Sequence, residues 1–128
     1  DPIRRHARDL IADFDIRTPG PDTLVGKLSG GNIQKVLLAR ELSGGARAVI
    51  HSKPTHGLDV RNAASTRRRI REAAAAGVAT VLISTDLDEI LELADRVAVM
   101  AEGRIVGIVA NDGDARSRIG RLMAGGGA

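Results

Sequence analysis

Val78-Ala79-Thr80-Val81-Leu82-Ile83-Ser84 is a continuous, β-branched apolar run, and no other segment constrains the fold as tightly. A run of this kind reads as a strand buried on both faces, as in parallel sheets covered by helices. Asn62 to Ala76, just before it, has a helical pattern and ends at Gly77, where a helix C-terminus favours glycine. Ala46 to His51 is a second short apolar run leading to a proline, and reads as another buried strand. Strand, helix, strand predicts an α/β fold with a right-handed crossover between parallel strands. Further on, Asp86 can cap a helix through about Ala94, with Glu89 completing a capping-box-like pair. Arg96 to Glu102, Gly103, and Arg104 to Val109 read as strand, tight turn and strand.

The flanks are helical. Asp1-Pro2 with Ile3, Ala7, Leu10 and Ile11 opens a helix whose first turn tolerates Pro2. Phe14 and Ile16 lead into Thr18-Pro19-Gly20-Pro21-Asp22, a loop by composition. After Gly30-Gly31 comes a strongly apolar helical run with Val36, Leu37, Leu38, Ala39 and Leu42, stopped by Ser43-Gly44-Gly45. Asp114 to Met123 is a last helix, and Gly125-Gly126-Gly127 reads as a frayed tail. No internal repeat is present.

Phe14 is the only aromatic residue, so a core must be built from Leu, Ile, Val and Ala. With no cysteine, disulfides and thiolate metal sites are excluded, which suits a reducing cytoplasm. The net charge is +3, from 19 basic and 16 acidic residues, and every base except Lys27, Lys35 and Lys53 is arginine. A nucleic-acid binder clusters its bases and offers aromatic rings for stacking. The densest cluster here, Arg67-Arg68-Arg69-x-Arg71, has no Tyr or Trp to accompany it and reads as a solvated helix face, so no nucleic-acid partner is expected. No apolar run approaches the roughly 18 to 20 residues that span a bilayer. No signal peptide opens the chain. Its first residue is Asp1 rather than methionine, which reads as a start cut by processing or design.

The segment richest in chemistry is Leu28-Ser29-Gly30-Gly31-Asn32-Ile33-Gln34-Lys35-Val36-Leu37-Leu38-Ala39-Arg40. A serine and two glycines at a helix start leave backbone N–H groups and the positive dipole end facing outward. Glycine lets an anion come close, and phosphate is the natural ligand of such a place. Ser-Gly-Gly by itself favours a plain serine-capped helix; the longer string outweighs that reading. His6, His51 and His56 are the only histidines, and without cysteine beside them they read as ordinary strand-end and loop residues. Asp86, Asp88 and Glu89 could form an acid/base pair, but at a helix start they read as dipole partners and a cap.

Leu28 to Arg40 resembles the signature motif of ATP-binding-cassette (ABC) ATPases and the helix after it, in the form seen in sugar and nucleoside importers. Pro54-Thr55-His56-Gly57-Leu58-Asp59-Val60 resembles the segment that follows the Walker B strand and ends in the D-loop. Leu82-Ile83-Ser84-Thr85-Asp86-Leu87-Asp88-Glu89 resembles the switch region. Ala94-Asp95-Arg96-Val97-Ala98-Val99-Met100 and Gly103-Arg104-Ile105-Val106 resemble the closing strands. The resemblance implies a partial, RecA-like ABC ATPase core with parallel strands and a C-terminal antiparallel hairpin, plus part of the helical signature subdomain. It divides the chain into 1–45 (signature subdomain part), 46–110 (α/β core part) and 111–128 (C-terminal helix and glycine tail). It also implies that Ala46–His51 pairs in parallel with Val78–Ser84. The strand that would separate Val78–Ser84 from Arg96–Glu102 has no counterpart here.

The departures from the family pattern bear on function. The glycine-rich Walker A loop, ending in Lys-Ser or Lys-Thr, has no counterpart among these 128 residues. The acidic pair closing the Walker B strand falls on Ser52 and Lys53. A serine hydroxyl is neutral where a carboxylate would hold Mg²⁺ through its water shell, and a lysine ammonium cannot accept a proton from an attacking water. Thr85 stands where the switch histidine is expected. Positioned groups of this kind typically carry factors of about a hundred or more each.

ABC domains work as head-to-tail pairs, so the resemblance implies that Ser29, Gly30, Gly31 and Gln34 meet the γ-phosphate of Mg-ATP held by another domain. Asp59 would lie at the dimer seam. No catalytic residue, no metal site and no nucleotide of its own are expected. The implied partners are another ABC ATPase domain and membrane permease subunits, at the cytoplasmic face of the membrane. Such a chain is a truncated or degenerate importer subunit, like the second domain of fused importer ATPases. Ser52 and Lys53 lean it toward the nucleoside type over the ribose type, although lysine at the water-activating position departs even from that subgroup. Two other readings stay open: a non-transport interaction or regulatory module on the same fold, and an NTPase with an unrecognised phosphate site.

Overall fold

The structure is a computed structural model that describes residues 1–125. Gly126 and Gly127 of the expected glycine tail lie outside the described residues. The chain forms two compact units, Asp1–Ile83 and Ser84–Ala128.

In the first unit, α1 (Pro2–Asp13) starts where Asp1 Oδ1 accepts the Ile3 N–H at 3.0 Å. Pro2 in the first turn sacrifices no helical bond there. A 3-10 turn over Val25–Lys27, which the sequence pattern does not announce, leads into α2 (Gly30–Ser43). β1 (Ala48–Ser52), α3 (Val60–Ala75) and β2 (Ala79–Ile83) follow. β1 and β2 pair in parallel, Ala48 opposite Ala79 through Ser52 opposite Ile83, as expected. Phe14, Ile16, Leu38, Ala39, Val49, Ala63 and Ile70 form the buried apolar set of this unit.

Two expectations need correction here. The apolar run of β2 is not buried on both faces: Val81 is 54% and Ile83 52% exposed, and Ile50, opposite Val81, is 69% exposed. The reason is coverage, since among the described residues β1 is the only strand paired with β2, and α3 is the helix that packs against it. The arginine cluster is not simply a solvated face. The Arg69 guanidinium lies 4.7 Å from the centre of the Phe14 ring and donates to the Asp13 carbonyl, closing the end of α1 onto α3.

The second unit contains α4 (Leu87–Leu93), β3 (Arg96–Ala101), β4 (Arg104–Ala110) and α5 (Ala115–Met123). β3 and β4 form an antiparallel hairpin. Glu102 (φ 49°) and Gly103 (φ 75°) are both left-handed, which matches the right-handed twist of the strands that they join. Val97, Val99, Val109, Ala115 and Ile119 are its core, with Leu87, Ile90, Leu91, Ala94 and Leu122 packed around them. The Asn111 amide donates to Leu91 O (2.8 Å) and Ala94 O (2.7 Å), satisfying carbonyls at the end of α4.

The start of α4 shows how a cap can be read correctly and its partner missed. Asp86 Oδ1 accepts the N–H groups of Asp88 and Glu89, at 3.0 and 3.1 Å, as expected of a cap. The Glu89 carboxylate does not close the box on the Asp86 N–H. Buried to 2% exposure, it accepts the Ser84 hydroxyl at 2.7 Å, and Ser84 Oγ takes the Asp86 N–H at 3.0 Å. The serine hydroxyl is thus inserted as a relay, which dry surroundings favour because a buried carboxylate needs donors.

Among the described residues no helix is long and apolar enough to cross a membrane.

Candidate functional site

Ser29 occupies the position before α2, but its side chain does not cap the helix. Its Oγ accepts from Asn32 Nδ2 at 2.8 Å, and Asn32 Oδ1 in turn accepts the Arg17 backbone N–H at 2.8 Å. A hydroxyl that already accepts from an amide keeps its one proton free to donate. The first bond of the helix runs from Ile33 N to Ser29 O at 2.9 Å, so the N–H groups of Gly30, Gly31 and Asn32 precede it. Ser29 and Gly30 are exposed, and a Cβ on Gly30 would meet nothing within 4 Å. Backbone N–H groups ahead of the first helical bond, a serine hydroxyl with a proton to donate and a helix dipole at an exposed start fit a phosphate group.

Asp59 stands before α3 as its cap. Its Oδ1 accepts the Asn62 N–H at 2.9 Å and its Oδ2 accepts the Asn62 side-chain amide at 2.6 Å. These bonds, the backbone one first, hold the exposed Asp59 carboxyl below the usual carboxylate range.

Ser52 closes β1 and Lys53 follows it, both exposed. Lys53 has a left-handed backbone (φ 48°), and its N–H donates to Ile83 O at 2.7 Å. Neither side chain offers a carboxylate, and no group of His, Asp or Glu suited to a metal occurs among the described residues. The chemistry of this strand end does not fit a hydrated Mg²⁺. Thr85 lies exposed in the second unit, next to the cap residue Asp86.

Gln34 sits one turn into α2 and lines a hollow of about 200 Å³ together with Leu38, Glu41, His51, Ser52 and Thr66. The His51 side chain is buried, and its Nε2 has no hydrogen-bond partner among the described residues. Burial lowers its pKa from the ordinary 6.5, with Glu41 pulling weakly the other way. A depressed histidine pKa means the unfolded state binds more protons as pH drops below about 6.5, so stability present above that pH is lost below it. The Asp1–Ile83 unit is therefore expected to melt at a lower temperature at pH 5.5 than at pH 7.5. His51→Leu is expected to flatten that interval, as thermal melts across it would show; an unchanged slope would reject the assignment.

Sequence reasoning missed Lys35. It is buried in α2, where its Nζ donates to Asp15 O (2.8 Å) and Asp15 Oδ2 (3.1 Å), anchoring α2 to the turn after α1. The bond and charge of Lys35 hold the Asp15 carboxyl below its ordinary value. A lone lysine inside an apolar helical run is the signal that was available. Asn32 was also missed as the partner of Ser29, and only its three-residue spacing from Ser29 hinted at it.

No protein-family model matches the chain. It is 42% identical over 124 residues to the nucleoside import ATP-binding protein NupA of Lactococcus lactis subsp. cremoris, covering 97% of this chain and 24% of that protein. It is 48% identical over 111 residues to the ribose import ATP-binding protein RbsA of Burkholderia pseudomallei, covering 87% of this chain and 22% of that one. The chain thus spans about a quarter of the length of the curated relatives that it matches. Among solved structures, the dimeric post-hydrolysis state of the ATP-binding cassette MJ0796 bound to ADP and Pi superposes with a TM-score of 0.73 at 18% identity. That match covers 85% of this chain and 47% of the cassette, which shows the fold. The chain is thus a homologue of part of the sugar and nucleoside import ATP-binding proteins, and its fold is that of part of an ABC ATPase cassette.

Proposed function

We propose that this chain is the signature-bearing part of an importer ATPase and supplies its loop to ATP held by a second cassette. Ser29, Gly30 and Gly31 act as the phosphate-facing donors, Gln34 supports them, and Asp59 lies at the seam between the two cassettes. The observation that carries this reading is the open start of α2, where Ser29 Oγ accepts from Asn32 and leaves its proton available to an incoming oxygen. When bound by the partner, Mg-ATP supplies the anionic oxygens that these donors neutralise. Ser52, Lys53 and Thr85, which offer no carboxylate and no switch histidine, support the reading of a degenerate cassette that assists a partner's site. The dimeric state of the cassette MJ0796 supports a paired arrangement. The importer names of the relatives support sugars or nucleosides as cargo, membrane permease subunits as further partners, and a peripheral position on the cytoplasmic face.

Isothermal calorimetry tests the division of labour. The 128 residues alone are expected to bind Mg-ATP no more tightly than about millimolar, the weak end of the affinity scale at about −4 kcal/mol, and to hydrolyse none above background. Micromolar binding by the chain alone would favour a nucleotide site of its own and overturn the proposal.

A further inference from the structure

Gly31 is packed against a residue that no sequence pattern marked. A Cβ built on Gly31 would lie 2.7 Å from Asn62 Nδ2 and 3.0 Å from Asn62 Cγ, too close for any side chain unless Asn62 moved. Asn62 is not free to swing away. Its side-chain amide donates to Asp59 Oδ2 at 2.6 Å while its backbone N–H donates to Asp59 Oδ1 at 2.9 Å. The asparagine is therefore held to one carboxylate by its backbone and by its side chain, and its amide forms the wall against Gly31. From the other side, Asn32 holds Ser29 through Oγ and is itself held by the Arg17 N–H. Loop position is thus set by two asparagines, one bonded to the serine and one braced against the glycine.

We propose that Asn62 is a positioning residue for the Ser29–Gly31 loop, fixing where its donors point by limiting how far Gly31 can settle toward α3. The proposal rests on the reading that this loop meets a phosphate held by a partner cassette. A residue that served only as the third position of the α3 cap would matter for stability alone. A wall under Gly31 matters for phosphate geometry as well, because donors misplaced by about 1 Å lose much of their effect.

The test uses Asn62→Ala, Gly31→Ala and the double variant in the 128-residue chain. Two quantities are read: the amide NMR positions of Gly30 and Gly31, and the association constant with a complete importer cassette in Mg-ATP. Asn62→Ala is expected to shift both amides and to weaken association about tenfold, equivalent to about 1.4 kcal/mol. Gly31→Ala is expected to be at least as damaging, because its methyl meets the clamped amide. In the double variant the amide is gone and the methyl fits, so association is expected to recover at least about threefold over Gly31→Ala. Unmoved amides in Asn62→Ala, or no recovery in the double variant, would overturn the proposal, the second by showing that the methyl obstructs the phosphate and not Asn62. If the unaltered chain shows no Mg-ATP-dependent association, the functional reading fails on its own. The amide positions of the three variants then decide separately whether Asn62 seats the loop.

Discussion

Ser29→Arg is expected to abolish Mg-ATP-dependent association with a complete cassette, a loss of at least about a hundredfold, or about 2.7 kcal/mol. Three effects act together. The hydroxyl proton that Asn32 leaves free is removed, Asn32 Nδ2 loses its acceptor, and a long side chain fills the open approach to Gly30. Lys53→Ala is the control. Lys53 is exposed at the end of β1, and under the proposed pairing it faces a place where no nucleotide is held, so its loss is expected to change association by less than about twofold. Affinity measured by fluorescence anisotropy for both variants separates the cases. Equal losses from the two substitutions would contradict a composite site built on α2.

The second large effect is structural. Ile119 is 2% exposed and belongs to a core that has, among the described residues, four other buried apolar side chains, Val97, Val99, Val109 and Ala115. Ile119→Ala removes three carbons from that core, and substitutions of this type cost about 2 to 5 kcal/mol through lost burial and the cavity left behind. A core of this size supplies little more than about 3 to 5 kcal/mol in total. The Ser84–Ala128 unit is therefore expected to lose its slow hydrogen exchange in the hairpin between Val97 and Val109. Met123→Ala, at a side chain 69% exposed on the same helix, is expected to fall within about 0.5 kcal/mol of the unaltered chain. Retained protection in Ile119→Ala would mean that the hairpin does not depend on α5.

Element order was legible from the sequence because its signals are local. Asp1-Pro2 announced α1, Asp86 announced α4, and Gly103 announced a turn that begins one residue earlier than expected, with Glu102 left-handed as well. The parallel pairing of β1 with β2 was legible through the family resemblance. What stayed hidden is what depends on a third element. The apolar run of β2 expresses a preference for burial, yet whether another element covers Val81 and Ile83 is not written in those side chains. Lys35 reads as one polar residue in an apolar helix until the carbonyl of Asp15 is brought to it. Glu89 reads as a capping partner until Ser84 intervenes. In the site, Ser29, Gly30 and Gly31 were found by motif, whereas Asn32 and Asn62 emerge only from where the chain folds back, through Arg17 and through Asp59.

Sedimentation velocity of the unaltered chain mixed with a complete importer cassette, with Mg-ATP, with Mg-ADP and without nucleotide, tests the composite site most directly. The proposed arrangement predicts a one-to-one complex that forms in Mg-ATP and dissociates in Mg-ADP, because the donors at Ser29, Gly30 and Gly31 need the γ-phosphate to bridge to. A complex of equal strength in all three conditions, or none in any, would contradict it.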